Sequence, residues 1–184
     1  MNHDTIIEPV RRWVEQVVID LNLCPFAKHA LINGRVRFRV SEAVSEDQLL
    51  ADLLIELDVL SNNESVETTL LIHPQVLKRF DDYNQFLNVA DYLVEQSNLR
   101  GVYQVASFHP HYRFSGTGPG DAENYTNRSP YPMLHLLRED SVAKAIDNHP
   151  DASAIPTQNV RQLRKLGTEK LRRLLRQCAE PAAK

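Results

Sequence analysis

Residues Glu67 to His73 read ETTLLIH. Two threonines, three consecutive aliphatic residues and a closing His-Pro pair make an extended segment that is apolar on both faces, the composition of a central strand covered by helices above and below. Upstream, Val36, Phe38 and Val40 alternate with Arg35, Arg37 and Arg39. This period of two marks a strand buried on one face, expected at a sheet edge with its arginines in solvent as a guard against edge pairing. Between the two strands, Ser45 opens a helix carrying Leu49, Leu50, Leu53, Leu54, Leu57 and Leu60. Downstream, a helix from about Phe80 to Ser97 places Tyr83, Phe86, Leu87, Ala90, Leu93 and Val94 on one face and leads to a third strand, Val102 to Phe108. At the start of the chain, Ile6, Val10, Trp13, Val14, Val17 and Leu21 recur at helical spacing, which predicts an amphipathic helix over 5–21 ended by Asn22 and Pro25.

Strands alternating with crossover helices predict an α/β fold: a small, mainly parallel sheet of about three strands with covering helices, followed by a helical C-terminal portion. A single domain over 1–184 is expected, with an α/β half (1–114), a polar Gly-rich loop (115–128), a helical portion (129–178) and a flexible tail (179–184). The formal net charge of −3 supplies no bulk field for nucleic acid or an anionic membrane. Glu8, Arg11, Arg12 and Glu15 interrupt the first apolar residues, and no run has membrane-spanning length. The two cysteines, Cys24 and Cys178, lie far apart, so a disulfide framework is not expected. These features predict a cytoplasmic protein without nucleic-acid or membrane partners. Neither a cofactor nor the oligomeric state is legible. The basic C-terminal helix, Arg161 to Arg176, reads as a solvated face.

Parallel pairing would bring His73-Pro74 and His109-Pro110 to the carboxyl edge where open α/β sheets build their sites. Ser129-Pro130 has the form of a helix start, with Ser129 as N-cap. Arg128, one residue earlier, would join that helix end in holding a phosphate or carboxylate, the other reading being an ordinary capped helix. The preceding segment, Asp121 to Arg128, carries Asp121, Glu123, Asn124 and Asn127. It reads either as turn chemistry or as a lid hinged at Gly116 and Gly120.

The stretches LNLCPFAK (Leu21 to Lys28), TTLLIHP (Thr68 to Pro74), YQVASFHPHYRF (Tyr103 to Phe114) and NYTNRSPYPMLHLLRE (Asn124 to Glu139) resemble the bacterial family designated domain of unknown function 1415. The resemblance implies a shared site without naming its chemistry. Its polar motif positions fall on Cys24, His73, Ser107, His109, Asn124, Asn127, Arg128 and His135; His111 is not carried over.

Three readings of the site compete. In the first, Cys24 is a nucleophile or redox-sensitive thiol, His109 at an exposed strand end moves protons, and Arg128 holds an anionic substrate. Ser107 belongs to this catalytic set, with Asn124, Asn127, Ser129 and His73 around the substrate. A buried core thiol is the competing role for Cys24. In the second, His109, His111, His73, His135 and Asp121, with Glu123, supply a histidine/carboxylate metal shell, although none of the strong metal spacings is present. A core histidine on a short helix is the alternative for His135. In the third, the domain binds a small anion or a protein partner without turnover. The expectation carried forward is a small-molecule enzyme, of hydrolase or transferase type, acting on an anionic substrate.

Overall fold

The computed structural model describes residues 1–180. The first helix, α1 (Asp4–Trp13), runs directly into a π-helical stretch, Val14–Ile19, that ends with Asp20 N–H donating to Glu15 O. Asn22 then takes a left-handed conformation (φ +49°) and breaks the helix, as expected of that residue type. A short helix, α2 (Ala27–Ile32), leads into β1 (Val36–Val40). The helix α3 (Glu46–Asn62) is capped by Ser45, whose side chain accepts from Gln48 N–H, while the Gln48 side chain accepts from Val44 N–H. These reciprocal bonds satisfy backbone donors at the helix start. Next come β2 (Thr68–Ile72), α4 (Phe80–Gln96) and β3 (Tyr103–Phe108). A 3₁₀ turn (Ala122–Thr126) precedes β4 (Met133–Arg138), and the chain finishes with α5 (Glu139–Asp147), α6 (Ile155–Leu166) and α7 (Thr168–Ala179). Of the tail expected over 179–184, residues 181–184 lie outside the described residues.

The sheet has four strands in the order β1-β2-β4-β3. β1 and β2 are parallel, and β4 is antiparallel to both β2 and β3. Two expectations are corrected here. The sheet is mixed rather than mainly parallel, and the segment after Ser129-Pro130 is a strand rather than a helix. The pattern of β4, MLHLLR, explains the difference. Met133, Leu134 and Leu136 are fully buried, and a strand covered on both faces shows a continuous apolar run that periodicity cannot distinguish from a buried helix. The helical C-terminal portion therefore begins at Glu139.

Helices cover both faces. On one, Ile6, Val10, Trp13 and Val17 pack with Leu163, Leu171 and Cys178 over Val40, Leu70, Ile72 and Met133. On the other, α3 and α4 pack Leu49, Leu53, Leu57, Tyr83, Phe86 and Ala90 over Leu71, Leu134 and Leu136. The arginine face of β1 is not simply solvated. Glu56 of α3, 1% exposed, receives Arg37 Nε at 2.6 Å and Nη2 at 3.1 Å, with Arg39 Nε at 3.5 Å. The bond to Glu56 pushes the Arg37 guanidinium upward from its ordinary pKa. Arg35 pairs with Glu67 at 2.8 Å. A buried carboxylate needs such partners, which is why the guard row is also an internal clamp. Among the described residues no helix is long and apolar enough to cross a membrane.

Candidate functional site

Because β4 is antiparallel to both neighbours, β2 and β3 point the same way although they do not touch, and His73 and His109 reach the same edge of the sheet. Their rings flank Tyr83 of α4, with centroid separations of 5.8 Å and 5.1 Å. Both are fully buried, so His109 is not at an exposed strand end.

His73 donates through Nδ1–H to Val76 O at 3.1 Å, and its Nε2 is buried without a partner. His109 donates through Nε2–H to Leu77 O at 3.2 Å and accepts from His111 N–H at Nδ1, at 3.0 Å. Each imidazole is neutral in this arrangement, since protonation would leave a second N–H buried or facing another N–H. Burial is the main cause, and it lowers both to about pKa 4. Tyr83 joins the same region to the strands: its hydroxyl donates to Met133 O at 2.6 Å and accepts from Phe108 N–H at 3.0 Å. Burial raises the pKa of this phenol.

The polar loop before β4 is tied to itself and to β3. Asn124, fully buried, accepts at Oδ1 from Phe114 N–H and the Thr117 hydroxyl and donates to Gly118 O. Asn127 Nδ2 donates to Ser107 O at 2.9 Å, and Asn127 O accepts from His109 N–H at 3.1 Å. Asp121 accepts from Gly118 N–H at 2.8 Å, which is turn chemistry. Ser129 does not cap a helix; its hydroxyl donates to Tyr131 O. Glu123 pairs with Arg164 of α6 at 2.6 Å, which holds the Glu123 carboxyl below its ordinary pKa.

Arg128 donates from Nε to Tyr112 O (3.2 Å) and from Nη2 to Pro119 O (2.7 Å), and its guanidinium lies 4.6 Å from the Tyr125 ring centre. With Phe80, Asp81, His111, Arg113 and Pro119 it lines an open cleft of about 320 Å³. A helix amino end does line the cleft opposite Arg128, but it is that of α4. A second depression of about 340 Å³ contains Glu123 and Arg164, whose charges are already paired.

The remaining residues lie elsewhere. Cys24 packs against the cluster on the opposite face of the sheet from the two histidines. Burial raises its thiol pKa, opposed by the N–H groups of Phe26 and Ala27. His135 also lies on that opposite face, donating through Nε2–H to the Thr68 hydroxyl at 2.7 Å, which in turn donates to Leu136 O at 2.6 Å. Loss of hydration lowers its pKa to about 4. Among the described residues, no three His, Cys, Asp or Glu side chains converge as metal ligands, and the histidines named for that role are divided between the two faces. Sequence reasoning missed Arg113, Phe80, Asp81 and Tyr83. Arg113 was legible only as one more residue of the HPHYRF stretch, and a tyrosine on an apolar helix face signalled that its hydroxyl needed partners.

Fold and site together define an α/β protein with helices on both faces of a mixed four-stranded sheet and a cationic cleft at one sheet edge. The chain belongs to the family described as protein of unknown function (DUF1415), whose model matches residues 5–173. No curated protein and no solved structure matches it.

Proposed function

We propose that the protein binds a small anionic molecule in the cleft between the amino end of α4 and the segment His111 to Pro119, and that His111 is the group that exchanges a proton with it. The observation carrying this reading is that Arg113, Arg128 and His111 line one cleft of about 320 Å³ against a single carboxylate, Asp81. The volume suits a small molecule. Arg128 is held rigidly by two carbonyls and an aromatic face, so little side-chain entropy is lost when an anion arrives. Asp81 would take a hydroxyl or ammonium of the same ligand. The anchoring role thus stays with Arg128, while proton exchange moves from His109, whose two ring nitrogens are both engaged, to the exposed His111.

Calorimetric titration with inorganic phosphate at neutral pH tests this reading. Saturable binding that weakens about tenfold or more in Arg128→Ala is expected for a charge-assisted contact. Equal binding by the variant, or none by the wild type, overturns it.

A further inference from the structure

The two walls of the cleft come from distant parts of the chain. Phe80 and Asp81 begin α4, which is launched by the turn after His73; His111 and Arg113 lie on the segment leaving β3. One buried side chain joins them. The His109 ring donates to Leu77 O in the turn and accepts from His111 N–H in the opposite segment. It is wedged between Phe80, with centroids 5.5 Å apart, and Tyr83. Leu77 has φ +56°, a conformation that a non-glycine residue keeps only where its surroundings hold it. Its side chain is buried and its carbonyl is the one His109 binds.

We propose that His109 is a positioning residue: through these two hydrogen bonds it fixes the separation of the α4 wall from the His111–Arg113 wall, and with it the fit of the bound anion. This rests on the cleft being the binding site proposed above. Tyr83 and Phe80 face the imidazole from α4, with His73 beyond Tyr83, and His111 faces it from its own segment.

The experiment measures phosphate affinity in His109→Leu, His109→Asn and Arg128→Ala at neutral pH, with near-ultraviolet circular dichroism as the check on folding. His109→Leu keeps volume and loses both bonds, and its affinity is expected to fall about tenfold. Asparagine places a side-chain oxygen near the position of Nδ1 and can accept from His111 N–H, but it cannot reach Leu77 O, so the bridge between the walls stays cut and His109→Asn should also bind about threefold or more weaker than wild type. Wild-type affinity in folded His109→Leu, or in His109→Asn, which lacks the bond to Leu77 O, overturns the proposal. Should His109→Leu fail to fold, His109→Gln, which retains only the donor to Leu77 O, replaces it. Binding about threefold or more weaker than wild type is expected, because the bond from His111 N–H is lost, and wild-type binding overturns the proposal. Arg128→Ala separates the two levels, because wild-type affinity there removes the cleft reading itself.

Discussion

His73 and His109, 36 residues apart in sequence, donate hydrogen bonds to consecutive carbonyls, Val76 O and Leu77 O, of one turn. They come together because β2 and β3 run in the same direction on either side of β4. Two residues that read in sequence as members of a solvent-facing site are here buried and hydrogen-bonded to the turn that starts α4, with exposed side chains such as His111 and Arg113 beyond them.

Acid should unfold the protein early. His73, His109 and His135 are each lowered to about pKa 4. The unfolded chain therefore binds more protons than the folded one between about pH 6.5 and 4, so stability is full above that window and falls as pH drops through it. A tenfold weakening of proton affinity on folding corresponds to about 1.4 kcal/mol, and the three imidazoles together account for several. Urea denaturation at pH 7, 5.5 and 4.5 checks this, with His135→Gln expected to reduce the slope; stability that is flat across the window contradicts it.

Tyr83→Phe removes one hydroxyl and leaves Met133 O and Phe108 N–H unpaired at the end of the sheet. A loss of about 1–3 kcal/mol is expected, measured by chemical denaturation.

Replacing Arg37 by methionine leaves Glu56 buried with only the longer contact to Arg39. Destabilisation of about 3–5 kcal/mol is expected, whereas the double variant Arg37→Met/Glu56→Met should recover much of it, because the uncompensated buried charge is then gone. A double-mutant cycle reads the coupling, and additive single losses would contradict this account.

Cys24 should label slowly with a neutral thiol reagent in the folded protein and quickly in urea, since burial holds its thiol protonated. Cys24→Ala should leave phosphate affinity within about twofold of wild type, as expected for a residue on the far side of the sheet. Rapid labelling of the native protein would restore the thiol as a chemical candidate.

Asn124→Ala removes all three side-chain bonds at the centre of the loop. At about 1 kcal/mol for each bond, amide exchange at Phe114 should accelerate by roughly two orders of magnitude. Unchanged exchange would mean that the loop is held elsewhere.

The sequence by itself determined three strands and the helices between them, since these rest on local periodicity: alternation in β1, unbroken apolar composition in β2, and helical spacing in α1, α3 and α4. It also placed His73 and His109 at one edge and singled out Arg128 as a candidate anion anchor. Tertiary structure alone decided β4, because a strand buried on both faces carries no period; that one insertion made the sheet mixed and removed the helix expected at Ser129. Burial was likewise not legible. The same imidazole at a strand end is a proton carrier in water and a neutral clamp beneath Phe80 and Tyr83, and only the packing of α4 over the edge chose between them. The pairing of Arg113 and Arg128 with the amino end of α4 required segments about thirty to fifty residues apart to meet, a distance over which no local pattern in the chain carries information.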